Sequence, residues 1–141
     1  MKRLLALLAA LILAASSAHA ALPVMGEVAS SALTRAQERD LGRQLMAEVW
    51  RRLPVLEDPE INAYLQDLGQ RLATHSDAPE LDYHFFVLDV PSINAFAMPG
   101  GYIGVNAGLI LSARSESELA GVLAHEIAHV TQRHLARPLE A

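Results

Sequence analysis

The 141-residue sequence predicts a mixed α+β domain, mainly helical with a small sheet. Three observations carry this. Two capped segments have apolar residues spaced four apart. One aromatic and β-branched run precedes a hairpin signal. A third capped segment follows near the C-terminus. The order helix, helix, strand, hairpin, helix separates the helices from the strands, the pattern of an α+β fold.

The first element is a targeting segment. Lys2 and Arg3 precede the apolar run Leu4–Ala15, and Ala18 and Ala20 form an A-x-A cleavage signal. Twelve apolar residues fall short of the roughly 20 that span a bilayer. The segment therefore reads as a secretory signal peptide, residues 1–20, and not as an anchor. No Cys follows to accept a lipid. The expected mature chain, 21–141, keeps nine Arg, no Lys and all 16 acidic residues, a formal charge of −7. That balance argues against nucleic acid or an anionic membrane as partner. The lack of Cys excludes disulfides and thiolate metal sites. Export without disulfides suits a Gram-negative periplasm, with outer-membrane association an open addition.

Residues 21–33 read as a flexible lead-in. Thr34-x-x-Gln37 is a capping box, and a helix should run to about Leu53, with Leu41, Leu45, Val49 and Leu53 along one face. Pro54 ends it. Asp58 caps a second helix with Pro59 at its first position, and Ile61, Leu65, Leu68 and Leu72 form its stripe. Asp82–Val90 reads as a strand. Ile93–Val105 reads as a hairpin around Pro99-Gly100-Gly101, and Asn106–Leu111 as a short helix. Ser115-x-x-Glu118 is a second capping box that opens a helix to about Leu135.

That last helix carries H-E-x-x-H at His125, Glu126 and His129. On a helix the two His lie about 40° apart, one turn from each other, and Glu126 about 100° from His125. Two such imidazoles can reach one zinc at about 2.0–2.1 Å per bond. The adjacent carboxylate can then act as general base on a water that the metal acidifies. Leu119, Leu123, Ile127 and Val130 flank the motif, and Ala120, Gly121, Ala124 and Ala128 fill much of the rest. The helix should therefore be buried on most sides, leaving its His and Glu in need of partners. The metzincin extension would need Gly at 132 and His at 135, but Gln132 and Leu135 stand there. His134 misses that position by one residue and points about 140° from His129, which suits polar packing or helix termination. Glu140 follows Pro138 and is a poor third ligand.

"NAFAMPGGYIGVNAGLI" and "SESELAGVLAHEIAHVTQRH", with "ERDLGRQL" and "DPEINAYLQDLGQRLA" upstream, resemble the gluzincin zinc metallopeptidases of family 48. That group includes the CAAX prenyl endopeptidases, HtpX and the periplasmic BepA-type proteases. The signal peptide makes the sequence most similar to the BepA-type members. The resemblance covers nearly all of the expected mature chain. It implies a zincin-type fold, with 34–141 as the N-terminal part of a metallopeptidase domain whose small sheet or hairpin lies over the motif helix. It implies one Zn2+ held by His125 and His129, with Glu126 as base. It also implies a cleft lined by Asn94–Gly101, where Asn94, Ala95 and Phe96 would meet an extended substrate. The implied partners are protein or peptide substrates of the cell envelope, with no membrane span once the signal is cleaved.

Family members take their third zinc ligand, a Glu, from a later helix. They also use a further downstream residue on the oxyanion. BepA-type members add a C-terminal tetratricopeptide domain. None of these has a counterpart here, so weak or absent catalysis is expected of the 141-residue chain. A non-catalytic envelope binding or chaperone-like module, or an inactive gene fragment, are the rival expectations.

Overall fold

The structure, a computed structural model, describes residues 33–135. The expected signal peptide, all but the last residue of the lead-in, and Glu140 lie outside them. Helix α1 spans Arg35–Arg52, and its cap forms as expected. The Gln37 N–H donates to Thr34 Oγ1 at 3.2 Å, and the Thr34 N–H donates to Gln37 Oε1 at 2.9 Å. Its buried residues are Gly42, Met46 and Val49. The expected stripe holds at Val49 and, half-buried against the same cluster, at Leu45 and Leu53, whereas Leu41 is half-buried outside it. Gly42 and Met46 take buried places on this face that a stripe drawn from Leu and Val does not include.

Helix α2, Pro59–Thr74, starts where Asp58 accepts from the Glu60 and Ile61 N–H groups, both at 3.0 Å. Leu65 and Leu68 are buried, and Ile61 and Leu72 pack partly buried beside them, as the stripe predicts. The strand is shorter than expected. β1 is His84–Leu88, because Asp82, Tyr83, Asp89 and Val90 fall outside the ladder. The hairpin forms from β2, Ala95–Met98, and β3, Tyr102–Asn106. Gly100 and Gly101 both sit at φ +82°, a conformation that L side chains rarely adopt. β3 also pairs with β1 in parallel, which gives the order β1-β3-β2.

A short helix α3, Ala107–Ser112, leads to α4, Glu116–Leu135. Its capping box closes differently from the expected one. Ser115 Oγ accepts from the Glu118 N–H, but Glu118 Oε2 accepts from the Arg114 N–H, one residue further back.

The period-two alternation of the strands sorts the core into two layers. Phe85, Val87, Ile103 and Val105 face α2 and α4 and pack with Leu65, Leu68, Leu119, Leu123 and Ile127. Phe86, Leu88, Phe96 and Met98 face α1 and meet Met46 and Val49. Gly104 makes room for this second set, since a Cβ there would fall 2.4 Å from the Phe96 ring. The two margins of the sheet differ. The outer side of β1 is bridged by Val55 opposite Leu88, and the Leu56 N–H donates to Val87 O at 2.9 Å. β2 forms the other margin.

Candidate active site

Helix α4 is anchored along one line. Leu119, Leu123, Ile127 and Thr131, each four residues on, are 3, 0, 2 and 2% exposed. Its first turn is tied to α2, where the Tyr64 hydroxyl donates to Glu116 Oε2 at 2.6 Å. That bond, followed by desolvation and the Glu116 charge, raises the Tyr64 pKa. Nothing in the sequence signalled this link between residues 52 apart.

The rest of α4 is less covered than its composition suggests. Gly121, Ala124 and His125 are exposed, and Glu126, Ala128 and His129 are half-buried. A Cβ built on Gly121 would meet nothing within 4 Å. Burial on most sides is therefore not seen among the described residues: nothing described there packs on Gly121, and Ala124 and His125 are exposed. The argument that buried imidazoles demand a partner loses its premise for His125. What supports a metal is the mutual geometry of the two rings.

His125 Nε2 and His129 Nε2 stand 3.0 Å apart, with ring centroids at 4.5 Å and planes at 87°. At that separation at most one hydrogen fits between the two nitrogens, so at least one must present its lone pair. Two nitrogens at this spacing also fit one cation bound at about 2.0–2.1 Å from each. The donor set suits zinc, which favours imidazole nitrogen. Glu126, the next residue after His125, is placed by the same helix. Among the described residues no group of three or more His, Cys, Asp or Glu could hold a metal. His125 and His129 are therefore a pair of candidate ligands. The side chain of His134 lies outside the described residues.

The three substrate-lining candidates divide between layers. The Asn94 carbonyl accepts from the Asn106 N–H at 3.0 Å. Ala95 packs on the α4 side. Phe96 turns to the α1 side and meets Phe86 edge-on, with centroids 5.8 Å apart at 74°. Its side chain faces away from α4, so only its backbone is left to meet anything lying along β2.

The profile of Peptidase family M48 matches residues 59–141, from α2 through the H-E-x-x-H helix. The chain belongs to this family. The beta-barrel assembly-enhancing protease of Escherichia coli K12 is 41% identical over 119 residues, 84% of this chain and 24% of the relative. A Vibrio cholerae protein provisionally given the same name is 49% identical over the same length, 25% of that relative. The mitochondrial metalloendopeptidase OMA1 of Schizosaccharomyces pombe is 32% identical over 101 residues, 72% of this chain and 30% of the relative. The M48 chain thus spans about a quarter of the length of the first two relatives. The α+β fold, with a small mixed sheet beside the motif helix, accords with a partial M48 peptidase domain. Among the described residues no helix is long and apolar enough to cross a membrane.

Proposed function

We propose that this chain carries the catalytic helix of a zinc metalloendopeptidase that hydrolyses peptide bonds of misfolded cell-envelope proteins. The observation behind this is the 3.0 Å approach of His125 Nε2 to His129 Nε2, with Glu126 alongside, in an M48 chain. The names of the E. coli and Vibrio relatives and the signal peptide read at 1–20 support an envelope setting, with the periplasm as destination.

In this reading His125 and His129 hold zinc. When bound, zinc supplies Lewis acidity: it polarises a carbonyl and acidifies water. Glu126 accepts the proton from the attacking water and passes it to the departing amine nitrogen. The backbone of β2, the margin strand, orients an extended polypeptide by adding it to the sheet, with Asn94, Ala95 and Phe96 alongside. The third ligand, a Glu in the resemblance, lies beyond the described residues. Residues 34–141 then form the N-terminal part of the metallopeptidase domain.

The test is casein hydrolysis by the zinc-loaded chain beside Glu126→Gln. The expected result is weak cleavage that disappears in the variant while zinc stays bound. Cleavage that persists in Glu126→Gln overturns the assignment. A purely binding role along β2 predicts instead that unfolded protein is captured equally by the chain and by His125→Ala.

A further inference from the structure

We propose that a recess at the Met98–Gly101 end of β2 is a side-chain subsite, taking one bulky apolar residue of an extended polypeptide laid along that strand. The proposal rests on the polypeptide-substrate reading above and adds the class of side chain that the site selects.

The recess has a volume of about 150 Å³ and lies among the start of α1, the loop before β1, the β2–β3 turn and α4. Leu81, Met98 and Val130 give it apolar walls, and two Arg and three acids, Arg35, Arg39, Glu38, Glu80 and Asp82, stand around it, all but the half-buried Glu38 exposed. A cavity of about that size, lined by aliphatic side chains, holds a benzene ring. The apolar walls favour carbon, and charges of both signs around the recess favour no single ionic ligand. The fit is therefore a Leu, Met or Phe side chain.

The walls are held before anything binds. A Cβ on Gly42 would fall 2.3 Å from the Pro99 carbonyl oxygen, so α1 lies with its backbone on the turn. A Cβ on Gly101 would fall 2.1 Å from the Asp82 oxygen, and the His84 N–H donates to the Gly101 carbonyl at 2.9 Å. The turn is thus clamped between α1 and the segment entering β1. A preformed pocket loses little ordering free energy on binding.

Its position links it to the strand and to the motif. Val130 follows His129 directly, and Met98 is the last residue of β2. A polypeptide added to a sheet margin advances about 3.3 Å per residue. A side chain in the recess would then sit about three residues from the one opposite Ala95. In strand addition the backbone hydrogen bonds supply affinity, and pockets for alternate side chains supply selectivity.

The test uses the ¹⁵N-labelled chain without metal and a set of synthetic decapeptides. One central position is varied through Ala, Leu, Phe, Arg and Glu. Amide shifts report two places at once, Ala95–Met98 for the strand margin and Leu81, Gly100 and Val130 for the recess. Expected are shifts at both, with the Leu and Phe peptides about tenfold tighter than the Ala, Arg and Glu peptides, the scale of one buried apolar side chain. Val130→Phe and Leu81→Phe fill the recess from different walls. Whichever keeps the parent thermal midpoint should abolish the preference while margin shifts persist. Margin shifts with equal affinities and a silent recess overturn the subsite and leave the polypeptide reading standing. Silence at both places overturns both.

Discussion

On one face of α4, Leu119, Leu123, Ile127 and Thr131 are all but sealed from solvent; on another, Gly121, Ala124 and His125 stand exposed. The first face is written in branched side chains that interlock with α2 and the sheet. The second is written in side chains too small to cover anything, plus the imidazoles. The difference teaches how one helix can be both pillar and platform. Packing on the first face fixes the helix's position and rotation, and with them the approach of the two Nε2 atoms to 3.0 Å.

The largest test of this contrast is truncation of the anchored face. Leu123 is 0% exposed, so Leu123→Ala should destabilise the chain by about 3 kcal/mol, read by urea unfolding. The open face should respond with the opposite sign. Gly121 has nothing within 4 Å of a built Cβ, so Gly121→Ala should stabilise by about 1 kcal/mol through helix propensity alone. A loss there would mean that something packs on that face. The smallest effect belongs to the exposed bond that ties α4 to α2. Tyr64→Phe removes the hydroxyl at Glu116 and should change stability by about 0.5 kcal/mol or less. Its pH dependence has a defined sign. The Tyr64 pKa is raised in the fold, so the bond's contribution is complete below the ordinary tyrosine value and fades as pH rises through the raised one. The parent and Tyr64→Phe should therefore converge in stability only in alkali.

Local chemistry was legible in the sequence. The Thr34 and Asp58 caps form from interactions within a few residues, and the α2 stripe and the Gly100-Gly101 turn carry local signals, helical spacing and glycine's freedom at positive φ. The spacing of His125 and His129 was legible too, because a helix turns the same way wherever it is placed. What failed needed tertiary information. The buried face of α1 includes Gly42, whose value is a close backbone approach to Pro99 that hydropathy does not register. Glu118 accepts from the Arg114 N–H in place of that of Ser115, a one-residue shift that the spacing of the motif does not specify. The parallel β1–β3 pairing joins segments that sequence order separates by the hairpin's first strand. Exposure of His125 depends on what covers its face, and Ala and Gly read the same in either case.

The central claim is that one face of α4 holds the fold and another holds the metal, independently. Equilibrium zinc binding at neutral pH tests it most directly. The account predicts one zinc per chain, affinity reduced by about tenfold or more in His125→Ala and in His129→Ala, and thermal midpoints of the metal-free variants within about 2 °C of the parent. Zinc affinity unchanged in both variants, or metal-free variants that unfold together with Leu123→Ala, would contradict it.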